Sequence, residues 1–302
     1  MARIIRPRGA VGEEHLIVAQ AGVLYVVATP IGNMGDVSAR AREILADVGA
    51  VAAEDTRHSG LLLRELGLER PLVSLHEHNE RARAVELVGR LRAGESIALV
   101  CDAGTPLVSD PGYQLVRAAL DAGIVVTPVP GPCAAIAALS AAGLPSDRFC
   151  FEGFLPARAA ARRRRLAELA VETRTLVLYE APHRLAACLE DLAAACGGSR
   201  NACVARELTK RFETFYRGNL GELALRAKSD QDMRRGESVV LVDGAAEEKP
   251  TAARLDETLA VLLKYLPPSA AAAAAAGLTS VRRNDAYSRA LELGKKPPSD
   301  TP

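Results

Sequence analysis

Several carboxylates stand where short apolar runs end, and these positions suit acid/base chemistry. Glu54 and Asp55 follow the run AVAA, and Asp102 follows SIALVC. A carboxylate held at such a position can accept a proton from a reacting hydroxyl group. Asp55 also stands two residues before Arg57, and an Asp beside an Arg can equally form a structural salt bridge. The sequence therefore predicts three candidate acid/base groups and does not choose among them.

Three turns rich in glycine and proline also follow apolar runs. They are TPIGN at 29–33, DAGTPLVSDPG at 102–112 and PVPGPC at 128–133. Open α/β sheets bind their ligands at the carboxyl ends of strands. None of the turns has the G-x-G-x-x-G spacing of a dinucleotide site, and the chain has no G-x-x-x-x-G-K-[ST] phosphate loop. Proline-stiffened loops of small residues instead predict a bulky, partly flat ligand such as an adenosine, recognised largely by backbone groups.

The elements that would position these residues follow a regular order. From Val23 onward, short Val/Leu-rich runs alternate with helical patterns, which indicates an α/β fold with a mostly parallel sheet. We predict a flexible extension at 1–22, a first α/β domain at 23–140 and a second at 141–244 that contains a mixed sheet. Residues 245–302 are predicted to form a linker, a small helical appendage and a polar tail. The appendage includes an alanine run at 270–276, read as a helix.

Composition sets limits on the class of protein. The 302 residues are enough for two packed domains, and the 38 Lys and Arg residues nearly balance the 37 Asp and Glu residues. Bulk charge therefore gives no argument for a nucleic-acid partner. The six cysteines show no CxxC pairing, which favours reduced thiols. The start of the chain fits neither a signal peptide nor a membrane span, so we expect a cytoplasmic protein that does not enter a membrane.

Five long segments carry a family resemblance: LYVVATPIGNMGDVSARAREIL, AVAAEDTRHSGLLL, SLHEHNE, DAGTPLVSDPG and VPGPCAAIAALSAAGLPSDRFCFEGFLP. Together they resemble the tetrapyrrole-methylase superfamily, over about Leu24 to Val242. Within it, the C-terminal segment LPPSAAAAAAAGLTSVRRNDAYSRAL is similar to a branch that methylates ribosomal RNA. The resemblance implies a two-domain α/β fold, usually dimeric, with S-adenosylmethionine folded in the cleft between the domains. It implies no metal, and it implies methylation of a cytidine ribose 2′-hydroxyl in 16S rRNA of the small ribosomal subunit.

The same resemblance implies which residues contact the cofactor. Carried over by position, the cofactor-binding residues are Pro30, Thr105, Pro106, Leu107, Val108, Cys133, Ala134, Tyr179, Glu180, Ala181, Arg206 and Glu207. Cys133 stands where relatives commonly carry serine, a change that should leave backbone contacts intact.

An RNA substrate would also need polar and basic contacts. Arginines 162 to 165 form a run that covers every face of one helical turn, and phosphate contact is a sensible use for it. A solvated helix face is the alternative. The full set of RNA-binding candidates is Asn33, Arg57, His76, His78, Arg162, Arg163, Arg164, Arg165 and Lys210.

Two other functions stay open on the sequence. A methylase acting on a tetrapyrrole or another small acceptor would share the fold, because a fold does not fix a substrate. A noncatalytic RNA-binding or assembly protein would retain the scaffold without binding the cofactor. The appendage could be a helix-turn-helix element or three helices that only pack together.

Overall fold

A computed structural model of the chain describes residues 19–246, 252–279 and 281–294. Most of the predicted N-terminal extension, residues 1–18, lies outside the described residues. So do the central part of the predicted linker, at 247–251, and the predicted polar tail, at 295–302.

The first sheet contains five parallel strands. They are β1 (Leu24–Val27), β2 (Ala50–Ala53), β3 (Leu72–Ser74), β4 (Ile97–Val100) and β5 (Val126–Val129), and their spatial order is β3-β2-β4-β1-β5. Pro128 lies in β5, at an edge of the sheet, where a strand can contain a residue without an N–H group. The alternation of apolar runs and helices predicted this parallel sheet.

Helices cover both faces of this sheet. They are α1 (Ala39–Asp47), α2 (Thr56–Glu65), α3 (Glu80–Arg92) and α4 (Tyr113–Asp121). Leucines and alanines of α1 and α2 pack on one face, and those of α3 and α4 pack on the other. Short polar side chains fix where helices begin: the Ser38 hydroxyl accepts a hydrogen bond from the Ala41 N–H at 3.0 Å.

A buried carboxylate begins α4. Glu80, at the start of α3, accepts hydrogen bonds through Oε1 from the backbone N–H groups of Gly112 (2.9 Å) and Gln114 (2.7 Å). Gly112 itself has a φ of 128°, a conformation that favours glycine. Glu80 therefore satisfies the free N–H groups at the start of α4 and fixes the end of the loop before it.

The second sheet is mixed, as the sequence predicted. Its strands are β6 (Phe149–Phe154), β7 (Thr175–Glu180), β8 (Asn201–Arg206), β9 (Thr214–Asn219) and β10 (Ser238–Val242), in the order β6-β7-β10-β8-β9. Only the β6–β7 pair is parallel, and the other pairs are antiparallel.

The two faces of the second sheet are covered from different parts of the chain. One face packs on α6 (Ala159–Leu169), α7 (Leu185–Cys196) and α8 (Leu220–Ser229). The other face packs on α5 (Ala134–Ala142), which follows β5 of the first sheet. The helix that closes the first half of the sequence thus helps to bury the second sheet.

A separate C-terminal unit contains three helices: α9 (Ala252–Leu262), α10 (Pro268–Thr279) and α11 (Arg283–Gly294). The alanine run is part of α10, as predicted, and Ala271, Ala272 and Ala275 are buried in the core of this unit. Small side chains at these positions allow close packing of α10 on its neighbours.

None of the six cysteines forms a disulfide. Within the described ranges, every helix is too short or too polar to cross a bilayer.

Replacing Glu80 with alanine should destabilise the first sheet region. The substitution leaves two amides at the start of α4 without an acceptor, and we expect the free energy of unfolding to fall by about 1–3 kcal/mol. Urea denaturation followed by circular dichroism measures this change. Glu86→Ala, on the exposed side of the same helix, is the matched control and should cost less than about 0.5 kcal/mol. Equal losses from both variants would contradict the capping role.

Candidate functional site

Hydrogen bonds join the three glycine- and proline-rich loops at one edge of the first sheet. Thr29 and Gly104 exchange backbone hydrogen bonds of 2.8 and 3.1 Å, which connect the loops after β1 and β4. The Thr105 hydroxyl donates to the Pro132 carbonyl at 2.9 Å, which adds the loop after β5. β1 and β4 are neighbours whose following connections run in opposite directions across the sheet. This is the switch point at which open α/β sheets bind ligands.

A cavity of about 370 Å³ lies between these loops and the second sheet. Its volume falls within the range of roughly 300–1,000 Å³ that is usual for ligand pockets. The loops contribute Ile31, Asp102, Ala103, Gly104, Thr105, Val108, Ser109 and Asp110, and α5 contributes Ala134. The second sheet and its loops contribute Phe154, Tyr179, Glu180, Ala181, Pro182, Ala205, Leu208, Glu237, Ser238 and Val239.

Half of the expected cofactor contacts line this cavity: Thr105, Val108, Ala134, Tyr179, Glu180 and Ala181. The other six, Pro30, Pro106, Leu107, Cys133, Arg206 and Glu207, are chain neighbours of lining residues but are not part of the wall. Arg206 is buried and donates to the carbonyls of Arg235 and Phe212, so its guanidinium holds the backbone around the site.

Backbone strain is concentrated beside the cavity. Among the described residues, four that are not glycine have left-handed φ angles: Leu107 (72°), Ser109 (69°), Glu207 (51°) and Thr209 (65°). Two belong to the loop after β4 and two to the loop after β8. Such conformations cost free energy and are typically retained where a site requires them.

Tyr179 connects the two halves of the cavity wall. Its hydroxyl accepts a hydrogen bond of 3.2 Å from the Ala135 N–H in the first turn of α5. Its ring packs edge-on against Phe151 and Phe154, with centroids 5.0 and 5.7 Å away. Burial raises the pKa of Tyr179 well above its usual range, so the phenol keeps its proton. Tyr179 is therefore a neutral, fixed part of the wall.

The expected acid/base groups have different surroundings. Asp102 lines the cavity, and its Oδ1 accepts a hydrogen bond from the Asp55 N–H at 3.1 Å. The pKa of Glu54 is raised by burial and by the nearby charges of Asp110 and Asp102. Asp55 instead accepts from the Arg57 backbone and side chain, and these hydrogen bonds hold its pKa well below the usual range. Asp55 thus forms the structural salt bridge that the sequence left open.

Asp110 is a cavity carboxylate that the sequence reasoning missed. Burial raises its pKa most, and the charge of Asp102 raises it further. In the part of the chain that the structure describes, neither Asp102 nor Asp110 forms an ion pair. The signal was available, because Asp110 belongs to the same DAGTPLVSDPG loop as Asp102.

Three of the four arginines in the basic run are bound to carboxylates. Arg162 is buried, and its Nη2 lies 2.7 Å from Asp191. Arg163 also contacts Asp191, at 2.9 Å, and Arg165 contacts Glu152 and Glu168, each at 2.7 Å. Arg164 is exposed and has no carboxylate partner within the described ranges. A buried guanidinium cannot reach a phosphate, so we withdraw Arg162 from the RNA-binding set.

The remaining RNA-binding candidates lie on several loops. Asn33 caps a short 3-10 helix by accepting from the Gly35 N–H at 2.9 Å. His76 and His78 are exposed in the turn before α3. Lys210 lies over Gly32 and contacts Glu207 (3.1 Å) and Glu237 (2.8 Å). Lys210 and Arg57 are therefore already paired with carboxylates, and the structure does not bring these candidates together.

The acidic, histidine and cysteine side chains of the described residues form no cluster suited to a metal ion.

Comparison with known proteins gives long matches. The family model of tetrapyrrole (corrin/porphyrin) methylases matches residues 23–224, and that of the RsmI C-terminal HTH domain matches residues 249–294. Proteins named ribosomal RNA small subunit methyltransferase I are similar over most of the chain. The protein from Xylella fastidiosa is 56% identical over 88% of this chain and 98% of its own length. The protein from Escherichia coli O157:H7 is 53% identical over 90% of this chain and 95% of its own length.

Solved structures resemble the chain more distantly. Uroporphyrin-III-C-methyltransferase from Thermus thermophilus has a TM-score of 0.54 and 22% identity, over 74% of this chain and 94% of its own. The methyltransferase CobJ has a TM-score of 0.56 and 23% identity, over 75% of this chain and 95% of its own. At this identity the likeness establishes the fold.

Arg162→Ala should reduce stability, because it leaves the buried Asp191 with Arg163 as its remaining partner. We expect the free energy of unfolding to fall by about 3 kcal/mol. Arg164→Ala is the matched control and should cost less than about 0.5 kcal/mol. Urea denaturation of both variants measures the difference, and a stable Arg162→Ala protein that binds RNA weakly would restore the phosphate role.

The stability that Arg162→Ala loses should depend on pH. Burial raises the pKa of Asp191, but the hydrogen bonds from Arg163 and Arg162 outweigh it and the pKa is lowered. The stabilisation is therefore complete above the unfolded-state pKa of about 3.9 and is lost as the pH falls through the folded-state value. The difference in the free energy of unfolding between the wild type and Arg162→Ala should therefore become smaller as the pH falls through this acidic range.

Proposed function

Because the chain belongs to the tetrapyrrole (corrin/porphyrin) methylase family, in the group of ribosomal RNA small subunit methyltransferases I, we propose that it methylates 16S ribosomal RNA. The acceptor in this proposal is the 2′-hydroxyl of a cytidine ribose, and the methyl donor is S-adenosylmethionine. The observation that carries the proposal is identity above 50% to proteins of that name over about nine-tenths of the chain. A tetrapyrrole acceptor is not favoured, because uroporphyrin-III-C-methyltransferase shares only the fold, at 22% identity.

The cavity walls fit this methyl donor. S-adenosylmethionine supplies a methyl group made electrophilic by a positively charged sulfur, and that charge needs a compatible environment. Asp102 and Asp110 line the cavity without a cationic partner among the described residues, so their charge favours a positive ligand. The same carboxylates would repel the pyrophosphate of a dinucleotide. Small lining residues such as Gly104 and Ala134 allow close approach to backbone groups.

The protein's own groups would mainly position and desolvate the reactants. Holding reacting atoms about 3–3.5 Å apart can lower a barrier by roughly 7–11 kcal/mol. A ribose hydroxyl is a poor nucleophile, so a carboxylate that accepts its proton would add to the rate. We propose Asp102 for this role, because it lines the cavity and an amide hydrogen bond fixes its orientation. Glu54 is the second candidate, and Asp55 is the weakest because Arg57 holds it.

The same proposal includes the residues that contact the RNA, the partners of the protein and its domains. Arg164, His76, His78 and Asn33 remain candidate RNA contacts. The protein would act on the small ribosomal subunit in the cytoplasm, as a homodimer, with domains at 23–140 and 141–244. The C-terminal helices, which match a family described as helix-turn-helix, would add RNA contacts.

The direct test is methyl transfer from labelled S-adenosylmethionine to small ribosomal subunits from a strain that lacks the enzyme. We expect label in a 2′-O-methylated cytidine of 16S rRNA, identified by nuclease digestion and mass spectrometry. Thr105→Arg should abolish transfer, because the larger side chain fills the cavity. Thr105→Ser is the matched control and keeps the hydroxyl that donates to Pro132. Label in a base or in protein would reject the proposal, and full activity of Thr105→Arg would reject the assigned cavity.

Asp102→Asn should lower kcat by about 10²–10⁴-fold, because an amide cannot accept the proton. The raised pKa values of Glu54 and Asp110 mean that these carboxyl groups lose their protons at a higher pH than ordinary ones, so the negative charge around the methyl donor, and with it the rate at limiting S-adenosylmethionine, should rise with pH through that range. Single-turnover rates between pH 4 and pH 8 would measure both effects. Asp55→Asn is the control, because asparagine caps a helix as well as aspartate does. A kcat for Asp102→Asn close to that of Asp55→Asn would contradict the assignment.

A further inference from the structure

A second cavity, of about 310 Å³, shares one wall with the first. Phe154, at the end of β6, lines both cavities. The rest of the second cavity is formed by Glu152 of β6, by the segment that follows β6, and by residues along α6 from Ala161 to Glu168. Its volume is at the lower end of the range for ligand sites, roughly 300–1,000 Å³. The two cavities therefore adjoin at Phe154.

One of the two arginines that line the second cavity has no carboxylate partner within the described ranges. Glu152 is bound by Arg165 through two guanidinium nitrogens, at 2.7 and 3.1 Å. Glu168 is exposed and uses one carboxylate oxygen to contact the same Arg165. Arg164 lines the cavity and, within the described ranges, has no carboxylate partner. An arginine in this situation is suited to a phosphate group.

Phe154 offers an exposed aromatic surface. Its side chain belongs to a residue that is 56% exposed, although a phenylalanine at the end of a sheet strand is usually buried. The ring is held by its edge-on contact with Tyr179, at a centroid distance of 5.7 Å and an interplanar angle of 64°. Proteins that bind single-stranded RNA stack unpaired bases on such rings.

We infer that the second cavity binds the base of the nucleotide that is methylated, with the base stacked on Phe154 and its phosphate at Arg164. This inference rests on the proposed function and adds the substrate subsite to it. A base in the second cavity and a methyl donor in the first would both lie next to Phe154. The ribose between the base and its phosphate would then lie at the shared rim, near the acceptor carboxylates.

Glu168 can distinguish cytosine from uracil in this subsite. Its carboxylate has an oxygen without a contact to Arg165, and a carboxylate accepts a hydrogen bond from the exocyclic amine of cytosine. Uracil presents a carbonyl at that position, and a carboxylate repels it. The second cavity should therefore prefer cytidine to uridine.

The chain contains no tryptophan, which allows a direct binding test. Phe154→Trp keeps an aromatic wall and introduces a single fluorophore at the shared ring. With saturating S-adenosylhomocysteine in the first cavity, we expect cytidine 5′-monophosphate to quench its fluorescence in a saturable way. Uridine 5′-monophosphate should bind more weakly, and Glu168→Gln should reduce that difference. Phe212→Trp is the matched control, because Phe212 is 59% exposed and lines neither cavity, and it should show no saturable quenching.

The phosphate contact is tested in the same protein. Adding Arg164→Ala to Phe154→Trp should weaken cytidine 5′-monophosphate binding by roughly fivefold, as for an exposed ion pair. Binding of cytidine, which lacks the phosphate, should not change. Arg117→Ala, an exposed arginine on α4, is the control and should leave both affinities unchanged.

Activity on small ribosomal subunits provides the second readout. Phe154→Ala should raise KM by roughly tenfold, the usual cost of losing one stacked base, while Phe212→Ala, at an exposed phenylalanine that lines neither cavity, should leave KM unchanged. Equal quenching in the Phe154→Trp and Phe212→Trp proteins would overturn the inference, as would displacement of S-adenosylhomocysteine by the nucleotide. If the wild type fails to methylate RNA, the proposed function fails, whereas an active wild type with an unchanged Phe154→Ala variant rejects only the subsite.

Discussion

The site depends on one packing constraint: α5 leaves the edge of the first sheet and packs on the second. Its apolar face contacts β7, β8 and β10, and the Tyr179 hydroxyl accepts a hydrogen bond from its first turn. The loop that leads into α5 is tied to the loop after β4 by Thr105. The carboxyl edge of the first sheet is thereby held against the strands of the second. A cavity with walls from both sheets follows from this arrangement.

The charge of that cavity limits what it can bind. Asp102 and Asp110 have no ion-pair partner in the described part of the chain, and burial raises the pKa of Asp110. Grouping carboxylates in this way costs free energy unless a cation compensates for it. A sulfonium compound provides that cation, whereas RNA phosphates would be repelled. Under the proposed function, the electrostatics of this cavity would separate the methyl donor from the RNA backbone.

Local patterns predicted the fold and part of the cavity. Apolar periodicity predicted the parallel strands. The glycine- and proline-rich turns predicted that the loop with Asp102, Thr105 and Val108 lies at the carboxyl ends of those strands. Ser238 and Val239 of β10 were missed, because Ser238 lies opposite Glu180 only through the pairing of β10 with β7. The burial of Arg162 within the arginine run was missed for a similar reason: Asp191, which binds Arg162, lies 29 residues away on α7. Long-range partners of this kind leave no local signal.

The division of the site into two cavities resolves a conflict between its two ligands. The methyl donor requires small walls and negative charge, and an RNA nucleotide requires an aromatic surface and a cation. One cavity cannot supply both, because carboxylates close enough to compensate a sulfonium would repel a nearby phosphate. Phe154, whose uncharged ring contacts Tyr179, lines both cavities. Under the proposed function the reacting atoms would meet where the two cavities adjoin, with the sulfonium in the first cavity and the phosphate in the second.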